Sequence, residues 1–143
     1  MSYALALLNS TDRRPDAVPG ALECMCRQRG PDAVWVHVGG ELDLATSPLL
    51  EQTLRSAELR ARRVVLDLRQ LTFMDPSSVQ VIVDASVRAQ RVKRRLILVR
   101  GPSQVDRVFT LTGAAKLLEI GDLDPVEPPA HVPFRDLQNN YAA

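Results

Sequence analysis

The chain has 143 residues, with 18 Lys and Arg against 17 Asp and Glu and a formal net charge of +1. That length suits a single domain with an adequate core, and 45% hydrophobic content is ordinary for a soluble protein. The charge balance gives no overall electrostatic reason to bind nucleic acid or a membrane.

In chain order, Tyr3 to Leu8 is apolar but too short to span a bilayer, and no basic residue precedes it. Neither a signal peptide nor a transmembrane helix is predicted there, and the expected location is cytoplasmic. Residues 1–17 contain the polar, turn-rich run Asn9 to Asp16 and read as an extension. The first strand is predicted over Ala21 to Gln28. It carries Cys24 and Cys26 on one face, the parity of i and i+2 in a strand. A tetrahedral metal site needs about four ligands. Only His37 and His131 could add to the two thiols, from unrelated places, so reduced thiols and no metal are expected.

Val34, Val36 and Val38 alternate with Trp35 and His37, which predicts a second strand with one apolar face. His37 is placed on the other face, with no partner to make it catalytic. Gly39-Gly40 permits a bend or bulge before Glu41-Leu42-Asp43. Ser47-Pro48 is a cap-then-proline signal for a helix that turns Leu50, Leu54 and Ala57 inward. It should end among Arg60, Arg62 and Arg63, where basic residues complement the helix dipole.

The run Val64-Val65-Leu66, with Leu68, predicts a strand buried on both faces. A turn through Thr72-Phe73-Met74 is expected to lead to Asp75-Pro76-Ser77-Ser78. Asp is a strong N-cap and Pro is favoured at the first helical position. Asp75 should therefore cap a helix whose first turn is Pro76, Ser77 and Ser78, and whose apolar positions are Val79, Ile82, Val83 and Val87. A serine at such a helix start sits where N–H groups and the dipole would stabilise an added phosphate. The basic residues Arg88, Arg91, Lys93, Arg94 and Arg95 follow that helix without the aromatics that a single-stranded nucleic-acid surface would use.

Leu96 to Val99 predicts another buried strand. Ser103 and Asp106 have capping-box spacing before a helix bearing Val105, Val108 and Phe109, and Gly113 is a helix stop. Leu117, Leu118 and Ile120 fit a last helical turn or a strand. From Gly121 onward Pro125, Pro128, Pro129 and Pro133 break regular structure, so residues 122–143 read as a Pro-rich tail. Strands alternating with helices imply right-handed crossovers. The predicted fold is α/β, a mixed four- to five-stranded sheet with helices mainly on one face. Sites in such sheets lie beyond the carboxyl ends of strands, where Asp43, Asp75 and Ser77 should gather.

An ordered set of motifs resembles the STAS domain family. Thr72-Phe73-Met74-Asp75-Pro76-Ser77-Ser78-Val79 is similar to its helix-start motif, Asp-Ser-Ser-Gly before an apolar helix. Gly40-Glu41-Leu42-Asp43 resembles the end of its second strand, Val64 to Leu68 its central strand, and Ser103 to Gly113, ending Leu-Thr-Gly, its last helix. The resemblance covers roughly residues 18–121. It implies an anti-sigma factor antagonist that binds a serine-kinase anti-sigma factor and is released when a serine is phosphorylated. By position the acceptor is Ser77, with Ser78 the lesser candidate. The partner surface implied is Asp43, Asp75, Pro76, Ser77, Ser78 and Gln80. Three departures stand out: Pro76 for the first serine, Ser78 for the glycine and Gln80 for a small residue.

Two other classes compete. A phosphoryl-receiver enzyme needs an acidic pair after its first strand and a lysine on a late strand, and Lys93 and Lys116 are not placed for that. A non-switching STAS module, serving as a transporter accessory subunit or a signalling scaffold, would use the same motif only as an interface. The expectation is therefore no enzyme, no cofactor, and a protein partner.

Overall fold

The computed structural model describes residues 21–121; the predicted extension at 1–17 and the tail at 122–143 lie outside the described residues. Strand β1 (Leu22–Gln28) turns back into β2 (Ala33–Leu42), helix α1 (Ser47–Glu58) leads to β3 (Arg63–Met74), and α2 (Val79–Arg91) leads to β4 (Arg95–Val99). Helix α3 (Ser103–Leu111) and a 3₁₀ turn (Ala114–Leu117) then lead to β5 (Glu119–Gly121). The five strands lie in sequence order, β1 antiparallel to β2 and every later pair parallel. This is the mixed sheet the sequence predicts, its parallel strands joined by helical crossovers.

The main core forms between one sheet face and the helices. Val34, Val36, Leu66 and Leu98 from the strands meet Leu50, Leu54, Ile82 and Phe109 from α1, α2 and α3. On α2 the expected inward Val87 is 39% exposed, and Ala85, Ser86 and Ala89 fill the interface instead. Small side chains there let α2 approach α1, where Arg88 holds the Glu58 carboxylate through Nε at 2.9 Å and Nη2 at 2.5 Å. Cys24 and Cys26 lie on this face as thiols outside any disulfide among the described residues. Burial pushes the Cys24 thiol up to about 12 and that of Cys26 up to about 11, so both stay protonated and unreactive at neutral pH.

Several local expectations are corrected. β3 runs through Thr72, Phe73 and Met74, predicted as a turn, because they pair with the far end of β2: Glu41 opposite Phe73 and Leu42 opposite Met74. The Gly39-Gly40 bend is accommodated inside β2, with register shifts on both sides of Gly39-Gly40 and Gly40 at φ +96°. A Cβ on Gly40 would stand 2.2 Å from the Ala21 carbonyl oxygen, so only glycine fits. Ser103 makes no cap hydrogen bond and Asp106 instead pairs with Arg100 at 2.8 Å. Gly113 does stop α3, in the left-handed region at φ +81°.

The second face of β2 is also buried, contrary to the expectation of one apolar face. Trp35, Val65, Ile97 and Val99 form a separate cluster of strand residues. Beside it His37 and Asp67, opposite each other in register, hydrogen bond through Nδ1 and Oδ2 at 2.8 Å. Arg69 grips the same carboxylate, Nε to Oδ1 at 2.9 Å and Nη2 to Oδ2 at 3.0 Å. Burial alone would raise the Asp67 carboxyl, but the hydrogen bonds from His37 and Arg69 outweigh it and hold it at about 2. Burial pulls His37 below its ordinary value, more strongly than the Asp67 bond lifts it, with Arg29 and Arg27 adding to the fall. His37 is therefore neutral at pH 7 and donates from Nδ1 to an ionised Asp67.

This network fixes a pH dependence. A group whose folded pKa is depressed contributes stability above its unfolded pKa and loses it as pH falls. For His37 the loss begins near pH 6.5, its ordinary value. Thermal melts from about pH 8 down to about pH 5 should therefore show falling stability, with a limiting slope of about 1.4 kcal/mol per pH unit for one proton. His37→Gln should flatten that slope; equal slopes in both proteins would remove His37 as its source. Asp67→Ala leaves the buried Nδ1 donor of neutral His37 without its acceptor and should cost about 1–3 kcal/mol at pH 7 by chemical denaturation.

Candidate functional site

The carboxyl ends of β2 and β3 deliver two loops to one edge of the sheet. The Asp75 N–H donates to the Leu42 carbonyl at 2.8 Å, which extends the strand pairing into the loops and fixes their separation. Asp75, extended at φ −78° and ψ 136°, accepts from the Ser77 N–H at 3.2 Å and caps a 3₁₀ turn over Pro76–Ser78. The cap is the one predicted from the sequence; the first turn is 3₁₀ rather than α, and α2 proper begins at Val79.

The other loop is closed by groups that sequence spacing did not single out. Thr46 is the N-cap position of α1, and Ser47, expected as its cap, is its first residue. Asp43 and Thr46 bond reciprocally: the Thr46 N–H donates to Asp43 Oδ1 at 3.0 Å, and the Asp43 N–H donates to Thr46 Oγ1 at 2.9 Å. Ser47 Oγ donates to the Asp43 carbonyl at 2.6 Å and lies 2.9 Å from Ser78 Oγ in a second hydrogen bond. Two hydroxyls thus tie the start of α1 to the start of α2. The pairing spans 31 residues, so no local pattern could reveal it.

These bonds give the two candidate serines opposite environments. Ser78 is 1% exposed and points inward to Ser47. Its side chain, standing where the resembling motif has glycine, therefore presents nothing to an incoming partner. Ser77 is exposed at the tip of the turn, beside exposed Pro76. Gln80 is exposed too, and its amide turns along the helix to Asp84 at 2.8 Å. Asp43, Asp75, Pro76, Ser77 and Gln80 are thus all on the accessible edge, and Ser78 lies beneath it. Two apolar side chains not anticipated there stand exposed beside it, Leu44 in the loop after β2 at 75% and Phe73 near the end of β3 at 48%. The α3 end joins them through Gln104 Nε2, which donates to the Thr72 carbonyl at 3.4 Å.

The chemistry of the edge is that of presentation. Hydroxyl, carboxylate and apolar groups are offered outward. Among the described residues no group of three or more His, Cys, Asp or Glu could hold a metal ion, and no helix is long and apolar enough to cross a membrane.

Comparison with known proteins agrees with this architecture. The chain is 25% identical over 99 residues to the anti-sigma-B factor antagonist of Listeria monocytogenes, covering 68% of this chain and 87% of that protein. The fold superposes on the anti-sigma factor antagonist SpoIIAA in its unphosphorylated form with a TM-score of 0.61 at 20% identity, covering 71% of this chain and 89% of that one. It also superposes on SLC26A9 with a TM-score of 0.59 at 12% identity, covering 99% of this chain but 27% of that one, so the same fold also occurs within a larger chain. The sequence model of the STAS domain matches residues 27–126, most of the chain, and this protein belongs to the STAS domain family.

Proposed function

We propose that this protein is a regulatory binding protein of the anti-sigma factor antagonist kind. It docks on a serine-kinase anti-sigma factor through the Ser77 edge and is released when Ser77 is phosphorylated. The observation that carries the reading is the division between the two serines: Ser77 exposed on a capped turn, Ser78 buried against Ser47. Relatives named as antagonists support the general role. The switch is the finer step, and an outward hydroxyl is what favours it over a non-switching module, which needs no accessible acceptor. The protein acts by binding rather than by catalysis, in the cytoplasm.

The mechanism is electrostatic. A phosphate adds about −1.5 to −2 charges at pH 7. At Ser77 it would stand beside Asp75, in an interface matched to a neutral hydroxyl and lined by Leu44 and Phe73. Repulsion and the desolvation of the phosphate then oppose docking. Pro76 keeps the turn in place without needing a donor.

Incubation with a cognate kinase-type anti-sigma factor and ATP, followed by peptide mass spectrometry, should place the phosphate on Ser77. Labelling that survives Ser77→Ala and disappears in Ser78→Ala would reverse the assignment. Ser77→Glu should abolish binding to the same factor in calorimetric titration while moving the melting temperature little, because an exposed side chain is changed. Binding as tight as that of the wild type would leave the non-switching module as the better reading. Asp75→Ala should lower stability by about 0.5–1 kcal/mol, the low end for a lost cap, since one exposed 3.2 Å bond is removed. It should weaken partner binding by a larger factor than it weakens folding; coincident melts and titrations would show that Asp75 neither caps nor contacts.

A further inference from the structure

The other end of α2 carries a second surface. Its 13 residues put that end about 20 Å from Ser77. There the segments that follow α1 and α2 meet: Arg94 Nη1 donates to the Glu58 carbonyl, and the Arg95 N–H donates to the Arg62 carbonyl at 2.9 Å. Arg60, Arg62, Arg91 and Lys93 are exposed at this end and make no ion pair among the described residues. Each helix C-terminus carries the equivalent of only about half a unit of negative charge. Arg88 and Arg94 already occupy Glu58 and its carbonyl, so dipole complementation does not account for four more cations.

An apolar recess adjoins them, with Arg62 on its wall. Leu54, Ala61, Val64, Ala85, Ala89 and Leu96 line a crevice between α1 and α2, with Arg62, Arg94 and Arg95 among its walls. Leu59 at 87% and Val92 at 60% exposure stand in the same two segments. Arg94 is held by the Glu58 carbonyl and Arg95 by the Glu119 carboxylate, but apolar side chains so exposed beside Arg60, Arg62, Arg91 and Lys93 fit an occupant that is both apolar and anionic.

We propose that this face binds an acidic protein segment, which sets an aliphatic side chain against Leu59, Val92 and the mouth of the crevice and its carboxylates on the four cations. Single-stranded nucleic acid fits less well, because residues 58–63 and 88–95 contain no aromatic for base stacking. A bilayer fits less well, because the recess is concave. Charge complementarity is the recognition element. The proposal does not depend on the Ser77 switch, since the two surfaces sit at opposite ends of one helix.

The test is fluorescence anisotropy of the full chain with a labelled synthetic peptide in which leucine alternates with aspartate and glutamate. Binding should weaken as salt rises. It should fall at least about tenfold in Arg60→Glu/Arg91→Glu and in Leu59→Ser/Val92→Ser, with melts close to wild type. Lys93→Glu provides a third variant should either pair unfold. Ser77→Glu should leave peptide binding unchanged, which separates a failure here from a failure of the switch. Wild-type binding that persists in the folded charge-reversal variants overturns the proposal. So does binding to an oligothymidylate strand or to phosphatidylserine vesicles without binding to the peptide.

Discussion

The parallel pairing of β2 with β3 is the constraint on which the rest of the structure depends, because it is maintained past the point where β4 stops. β4 pairs with β3 only as far as Asp67, whereas β2 follows β3 to Met74. Two irregularities around Gly39 and Gly40 absorb the mismatch in length, and the Asp75 to Leu42 hydrogen bond closes the extension. The two strands therefore end together, and the Asp43 and Asp75 loops emerge side by side. The glycine is indispensable to this, since the Ala21 carbonyl just ahead of β1 accepts from the Glu41 N–H and a Cβ at position 40 would stand 2.2 Å from it. A bulge in the middle of a sheet thus sets the position of a surface loop.

What could be read from the sequence follows from the range of each interaction. The cap at Asp75 and the stop at Gly113 rest on contacts within a few residues, and both stand where the residue types place them. The strands Leu96 to Val99 and Val64 to Leu68 are apolar on both parities, a pattern that buried parallel strands impose. The misreadings have long-range causes. Thr72 to Met74 carries no strong strand signal of its own and is extended because β2 offers it a partner. His37 looked partnerless because Asp67 lies 30 residues away and meets it only through strand register. Ser47 resembled a cap because proline follows it, while its hydroxyl is committed to Ser78.

The Ser47–Ser78 bond also explains how this chain tolerates its departure from the motif that it resembles. A side chain at position 78 could have crowded the exposed edge, but the 3₁₀ turn rotates it inward, where Ser47 satisfies its hydroxyl. A buried hydroxyl without a partner would cost about 1–3 kcal/mol, so Ser78 depends on Ser47, whereas Ser47 keeps its bond to the Asp43 carbonyl in either case. The turn geometry that hides Ser78 also exposes Ser77. One residue of sequence thus separates a structural hydroxyl from an accessible one.

That division bears on why a charge at Ser77 would act on the interface rather than on the fold. The Ser77 N–H is already committed to the Asp75 carboxylate, and the turn it opens is only three residues long. A phosphate there would have to compete with Asp75 for that donor, so the usual benefit of a helix start for an anion is partly spent before it arrives. In the free protein solvent screens what remains, and the buried Ser47–Ser78 tie keeps the backbone in place. Against a partner the screening is lost, because docking excludes the water that made the charge tolerable. The same phosphate is then nearly neutral to stability and strongly unfavourable to association, which is the asymmetry that a partner switch requires.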